Sequence, residues 1–252
     1  MSKNCVNKLI NTEFLNNVIE GDTLKVMSNL PDNSIDMVLA DLPYGTTQNK
    51  WDSIIPLEKL WKEYNRIVKE DGAMLFTTSG LFTAQLMMSN PKNFKYKIVW
   101  EKSKPTNFLN AKIQPLRKHE DILVFYRKQP VYNPQMTQGK AYSKGVRKNQ
   151  LTGSYGDFDP VLIKSDGERY PVDVVYFKTA EAEGEVVHPT QKPIELARYL
   201  IKTYSNSGDV ILDNTCGFRV IIVIEANSYV NIRSSRLLPK FKTQKINSWC
   251  AA

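Results

Sequence analysis

The run Ile35-Asp36-Met37-Val38-Leu39-Ala40 is almost continuously apolar and stops abruptly at Asp41. It constrains the fold more than any other stretch. A strand with apolar residues on both faces has to be covered on both faces, as in the parallel sheets of α/β proteins. A second such run, Ala73–Thr77, follows a segment in which Leu57, Leu60, Trp61, Tyr64, Ile67 and Val68 recur at helical spacing, with Pro56 suited to the first turn and Gly72 to the stop. Ahead of them, Val18–Glu20 reads as a short strand, Thr23–Asn29 as a helix and Pro31–Ser34 as a turn. Beyond them come a helix over Phe82–Ser89 and strands over Tyr96–Trp100 and Ile122–Tyr126. A helix from Pro193 to about Tyr204, with Ile194, Ala197, Ile201 and Tyr204 on one face, leads through a Ser207-Gly208 turn to a strand over Val210–Leu212 that ends at Asp213. This alternation predicts an α/β fold, a doubly wound and mainly parallel sheet with helices on both faces.

With 252 residues, 42% of them hydrophobic, the chain has enough apolar mass to bury a core, which excludes a disordered or collagen-like protein. Its cysteines, Cys5, Cys216 and Cys250, are far apart, and with His119 and His188 they form no ligand spacing, so no structural metal and no disulfide framework is expected. Val220–Ile224 is far shorter than the ~20 residues of a membrane span, and Met1–Leu15 has no apolar signal region. A soluble, cytoplasmic protein without a membrane partner is the expectation.

Positive charge is concentrated rather than spread. Between Pro91 and Gln150, 14 Lys or Arg face 3 acidic residues, a net +11 against +8 for the whole chain. Aromatic residues (Phe94, Tyr96, Trp100, Phe108, Phe125, Tyr126, Tyr132, Tyr142) are interleaved with the charge, as suits contact with phosphates and bases. Lys102, Lys104, Arg117, Lys118, Arg147 and Lys148 are the candidate nucleic-acid contacts. A solvated face whose aromatics are simply core is the competing reading. Residues 127–185, rich in Gly, Lys, Tyr, Asp and Pro and containing only strand-like pieces such as Val172–Phe177, read as a loop-rich insertion suited to target recognition.

Ligands of open α/β sheets collect outside the carboxyl ends of the strands, and two acidic strand ends belong there: Asp41-Leu42-Pro43-Tyr44 and Asp213-Asn214-Thr215-Cys216-Gly217. An exocyclic amine on a nucleobase is a poor nucleophile because its lone pair is delocalised into the ring. The Asp41 carboxylate and the Leu42 carbonyl would each accept one amine hydrogen and free that pair to attack an electrophilic methyl. Pro43 stiffens the turn, and the Tyr44 ring suits stacking on a base flipped out of its duplex. A strand followed by a Pro turn and a packed Tyr also occurs without any function.

Together with Gly21-Asp22 and His188-Pro189-Thr190-Gln191-Lys192-Pro193, these motifs resemble the amino-group DNA methyltransferases that use S-adenosylmethionine. Their order resembles that of the permuted beta subgroup, in which the catalytic motif comes first and the cofactor motif last. The resemblance spans residues 16 to 217 and implies a Rossmann-like methyltransferase fold. It also implies a catalytic half over 1–126, a target-recognition insertion over 127–185, a cofactor-binding half over 186–217 and an atypical tail over 218–252. Asp41, Leu42, Pro43 and Tyr44 would form the target-amine site. Asp213, Asn214, Thr215 and Gly217 would meet the methionine part of the cofactor and Asp22 its adenine, while His188, Thr190 and Lys192 would hold its carboxylate, beside a helix N-terminus. An Asp at position 41 implies N6 of adenine in duplex DNA as the target, with N4 of cytosine as the alternative. Methylation at carbon 5 of cytosine is disfavoured because no Pro-Cys pair precedes the basic segment. A bacterial or phage modification enzyme, alone or beside a cognate restriction endonuclease, is implied, with oligomeric state left open.

The match breaks after Gly217. Family members continue with small residues, a helix, and a strand ending in an acidic residue for the ribose, whereas here Phe218-Arg219 leads directly into Val220–Ile224 and Glu225. Glu225 is the residue placed to stand in for the ribose carboxylate, although it arrives too early for a full helix. A frameshift or recombination inside the motif would leave such a tail. Cofactor binding is therefore expected to be weak or absent, and a catalytically dead DNA-binding relative that has lost its cofactor is the second class of reading; an RNA or protein methyltransferase is the third.

Overall fold

The computed structural model describes residues 14–46, 52–147, 161–184, 191–215 and 220–225. In chain order the first compact unit begins with β1 (Asn17–Glu20), α1 (Thr23–Met27), β2 (Ile35–Ala40), α2 (Leu57–Ile67), β3 (Val68–Thr78), α3 (Leu81–Ser89), β4 (Phe94–Thr106) and β5 (Arg117–Phe125). A second compact unit, Pro134–Val172, holds β6 (Thr137–Gln138), β7 (Tyr142–Arg147), β8 (Val161–Ser165) and β9 (Glu168–Arg169), paired antiparallel as β6 with β9 and β7 with β8. The first unit resumes with β10 (Val174–Phe177), α4 (Ala180–Glu183), α5 (Ile194–Tyr204), β11 (Val210–Asp213) and β12 (Val220–Glu225). The strand at Val174–Phe177, read from sequence as part of the loop-rich region, pairs with β4 and completes the main sheet.

The main sheet has the order β1-β12-β11-β2-β3-β5-β4-β10. Six of its eight strands run in one direction, with β5 and β12 reversed. It is thus the expected mainly parallel sheet, and apolar clusters cover both faces. Met27, Leu60, Trp61, Tyr64, Phe76, Phe82 and Phe125 gather under α1, α2 and α3; Met37, Leu75, Trp100, Leu196, Leu200, Tyr204 and Ile211 gather under α5. Asp36, the one polar residue of the β2 run, ties three strands together. Its carboxylate takes the Lys69 ammonium at 2.6 Å and the Val210 backbone N–H at 2.9 Å.

Local chemistry corrects several boundaries. The α2 helix stops at Ile67 rather than near Gly72. Its last carbonyls accept the N–H groups of Asn33 and Ser34, and the β-branched Val68 pairs with Ile35 as the first residue of β3. Gly72 lies inside that strand at a register shift, where a Cβ would come within 3.0 Å of the Asp36 and Lys69 carbonyl oxygens. Both β4 and β5 outrun their apolar segments because charged residues pair across the hairpin, Lys118 with Glu101 at 2.7 Å and Lys102 with Glu120 at 3.0 Å. The buried face of α5 is Leu196, Leu200, Ile201, Thr203 and Tyr204; Ile194 and Ala197 are only half-buried because they border a cavity.

The largest departure is at β12. Six residues separate it from β11, whereas a parallel return needs a crossover of about a dozen or more. The strand therefore doubles back, antiparallel to both β11 and β1. Asp213 faces Ile222, and Glu225 faces Val210 at the opposite end, about 10 Å along the strand at ~3.3 Å per residue. Glu225 is thus at the wrong edge of the sheet for the ribose role expected of it.

Asn214, directly after β11, locks α1 and α2 to the sheet. Its side-chain oxygen accepts the buried Tyr64 hydroxyl at 2.7 Å, and its amide donates to Thr23 Oγ1 at 3.1 Å. Asn214→Ala should lower unfolding stability in urea by about 1–3 kcal/mol, the cost of stranding a buried hydroxyl, and adding Tyr64→Phe should recover part of the loss. A double variant no better than Asn214→Ala would place the cost elsewhere.

Candidate active site

The first functional side chain follows directly from strand pairing. Ala40 pairs with Phe76, so Asp41 leaves the end of β2 beside Thr77, whose hydroxyl donates to Asp41 Oδ1. Tyr44 turns back across the same end, and its hydroxyl donates to Asp41 Oδ1 at 2.9 Å. Its ring stacks on Phe82 with centroids 5.2 Å apart. Leu42 and Pro43 are buried. The turn closes on Asp52, whose carboxylate accepts the N–H groups of Gly45 at 2.8 Å and Thr46 at 2.9 Å, with Gly45 at φ 67°.

Four charges alternate next to this turn. The Lys192 ammonium lies 3.3 Å from Asp41 Oδ2 and 2.9 Å from Glu120 Oε2, and Glu120 Oε1 pairs with Lys102 at 3.0 Å. Lys192 also sits 5.6 Å from the centre of the Tyr44 ring. Burial pushes the Asp41 carboxyl above its ordinary range despite the Lys192 ammonium and the Thr77 hydroxyl. Burial alone would raise Glu120 as well, but Lys192 and Lys102 together hold it below the usual range. Burial works against the Lys192 ammonium, yet Asp41, Tyr44 and Glu120 keep its pKa well above that of a free lysine. Lys102, expected on a DNA-facing surface, is instead 3% exposed, its charge turned inward to Glu120.

Asp213 ends β11 on the far side of a cavity of about 90 Å³ that Asp41, Thr77, Lys192 and Thr215 also line. Burial lifts its carboxyl to about 7, against the Thr215 backbone N–H, which donates to Oδ1 at 3.0 Å, and with a further push from Asp41. Among the described residues, Asp41 Oδ2 and Thr215 Oγ1 are buried without a hydrogen-bond partner. Two carboxyls and an ammonium around one cavity suit a ligand carrying both an ammonium and a carboxylate, as the head group of an amino acid does. Asn214 does not face this space; its side chain is used by Tyr64 and Thr23.

Asp22 lies beyond β1 as the N-cap of α1, accepting the Lys25 N–H at 3.1 Å in a cleft shared with Glu20 and Gly21. His188, Thr190, Gly217 and Lys148 fall outside the described residues. Arg147 ends β7 in the second unit. Lys104 is exposed and 3.3 Å from Glu181, Lys118 is bonded to Glu101, and Arg117 donates to Ser79 Oγ at 3.3 Å. The aromatics of the basic segment divide: Trp100 and Phe125 are core, Phe94 and Tyr126 pack against it, and Phe108 is exposed. Thr77, Glu120 and Asp52 were not singled out from sequence. Glu120 carried one faint signal, an acidic residue inside a segment otherwise almost wholly basic. Among the described residues there is no group of three or more His, Cys, Asp or Glu able to hold a metal ion, and no helix long and apolar enough to cross a membrane.

A model of a DNA methylase family, covering N6 and N4 methylases, matches residues 35–227, and the chain belongs to that family. The type II methyltransferase M.BglII of Bacillus subtilis is 25% identical over 244 residues, which cover 85% of this chain and 63% of that protein. The DNA adenine methyltransferase YhdJ of Escherichia coli (strain K12) is 27% identical over 259 residues, covering 87% of this chain and 82% of that protein. The chain therefore spans just under two thirds of the Bacillus relative's length. Among solved structures, the cytosine-N4-specific PvuII DNA methyltransferase superposes with a TM-score of 0.52 at 12% identity, over 77% of this chain and 72% of that one. The M1.HpyAVI complex with SAM superposes with a TM-score of 0.50 at 20% identity, over 81% and 83%. Both likenesses concern the fold.

Glu120 joins the buried Lys102 to the partly buried Lys192, so Glu120→Gln should cost up to about 3–5 kcal/mol of stability in urea, as removal of one member of a buried charge cluster does. A loss below about 1 kcal/mol, the range of exposed ion pairs, would show that the cluster is as wet as the surface.

Proposed function

We propose that the chain is a DNA methyltransferase that moves a methyl group from S-adenosylmethionine to the N6 amine of adenine in duplex DNA. The observation that carries this reading is Asp41: a carboxylate at a strand end, one oxygen fixed by Thr77 and Tyr44 and the other, Oδ2, held only by the Lys192 charge at 3.3 Å and without a hydrogen bond. Such an oxygen is free to accept an amine hydrogen, and the Leu42 carbonyl is the second acceptor. Lys192 works against burial and favours the ionised form of Asp41. The Asp at this position and the name of the adenine-methylating E. coli relative favour adenine over cytosine.

For the cofactor, Asp213 would take the α-ammonium, Lys192 with His188 and Thr190 the carboxylate, and Asp22 the adenine. Bound there, it supplies an electrophilic methyl group. The amine nitrogen would form the new N–C bond as the methyl's bond to the cofactor sulfonium breaks and leaves a neutral thioether, and it would give up a proton that Asp41 is placed to receive. That Asp213 and Lys192 line one cavity favours binding of the amino-acid end, whereas β12 brings no acidic residue to that edge among the described residues, so affinity should be low. Within 127–185, the compact unit Pro134–Val172 is the part assigned to target recognition, and Lys104, Arg117, Lys118, Arg147 and Lys148 are assigned as phosphate contacts. The name of the type II Bacillus relative favours a modification role opposite a restriction endonuclease.

Asp41→Ala should reduce methyl transfer to duplex DNA by ~10²–10⁴-fold with DNA affinity unchanged, and mass spectrometry of digested product should show N6-methyladenine. N4-methylcytosine would correct the target, and activity within tenfold of the parent would remove Asp41 from the chemistry.

Asp213 is protonated below about 7, and only its ionised form pairs with the cofactor ammonium. Calorimetric affinity for S-adenosylmethionine should therefore rise as pH passes from 6 to 8, and Asp213→Asn should flatten that rise. An unchanged pH dependence in the variant would exclude this contact.

A further inference from the structure

The β4–β5 hairpin does not end with the sheet. The last pairing of β5 with β3 is Asp121 with Thr78, yet β5 and β4 pair on to His119 with Glu101 and, across a register shift, to Arg117 with Thr106. Four further residues at ~3.3 Å each carry the hairpin about 13 Å past the end of β3. That end is the edge where Asp41 sits beside Thr77. The ten residues 107–116 at the tip are folded on themselves. Asn107 stands at φ 71° and accepts the Asn110 N–H at 3.1 Å and its side-chain amide at 2.8 Å, Phe108 accepts the Ala111 N–H, and Asn110 accepts those of Ile113 and Gln114. Despite this order the tip presents Phe108 75%, Leu109 85% and Ile113 83% exposed. Lys104, Lys112, Arg117 and Lys118 flank it. Ordered, exposed apolar side chains ringed by cations match a polyanion with an apolar interior.

We propose that this tip is an apolar wedge that enters the DNA duplex beside the target base, with Phe108, Leu109 and Ile113 taking over stacking surface that the extruded base leaves, while the flanking cations hold the phosphates. The proposal rests on the reading of the chain as an enzyme acting on a base in duplex DNA, since a base inside the stack cannot reach Asp41 without being extruded. Side chains of this class unstack a base step when inserted, and the cost falls where the step is already weakened.

The test uses the full chain and two fluorescein-labelled 30-base-pair duplexes, one fully paired and one with a central abasic site, in fluorescence anisotropy. The parent should bind the abasic duplex at least tenfold more tightly. The triple variant Phe108→Ser/Leu109→Ser/Ile113→Ser should lose that preference while its affinity for the paired duplex changes less than threefold, and Phe108→Trp should keep it. Lys112→Ala should weaken both duplexes alike and reduce the slope of log K against log salt by about 0.9. A parent without preference, a triple variant that retains it, or a triple variant converted from dimer to monomer in sedimentation would each overturn the wedge, the last by assigning the tip to a contact between copies of the chain. Loss of methyl transfer in an otherwise intact parent that still prefers the abasic duplex would overturn the enzymatic reading alone.

Discussion

The ammonium of Lys192 joins parts of the chain that have little else in common. It reaches Asp41 at the end of β2 and Glu120 on β5, and through Glu120 it is tied to Lys102 on β4. Each of these charges alone would be expensive to bury, and each is tolerable because its neighbour has the opposite sign. The arrangement fixes Asp41 from one side while Thr77 and Tyr44 fix it from the other. The packing of this edge and the placement of Asp41 therefore rest on the same charge cluster. A ligand carboxylate that recruits Lys192 would draw it from a partner it already has.

Much of the fold was legible because it is local. The apolar run of β2, the helical spacing of α2 and the Pro193 start of α5 depend on near neighbours, and each lies where the pattern put it. What escaped was decided by pairing at a distance. The charged ends of β4 and β5 become strand only because each finds its partner across the hairpin, and Val68 leaves α2 because Ile35 is waiting for it. In the site, Asp41, Tyr44, Lys192 and Asp213 were legible as members of motifs. Thr77 and Glu120 belong to no motif and are defined only by the strand beside them, while Lys102 was misplaced because a lysine in a basic segment gives no sign of which face of its strand it occupies.

The reversed β12 shows how strongly connection length governs what a site can contain. The strand supplies the hydrogen bonds that β11 and β1 need, so the sheet is closed at that position. Reversal nevertheless moves its last residue to the amino end of β11. The backbone pairing is complete while the acidic end of the strand is carried away from Asp213.

Asp36 gives the sheet a particular history. Its carboxylate awaits the N–H of Val210, 174 residues later in the chain, and β2, which lies between β3 and β11 in the finished sheet, has no neighbour on one side until β11 has been made. During synthesis an apolar strand with unpaired backbone groups is thus an open edge until the 174 residues that separate it from Val210 have been made, the condition under which strands pair with the wrong chain. Completion of the sheet waits for almost the last described segment to leave the ribosome, and the yield of folded protein in a cell should depend on how well that edge is shielded while it waits.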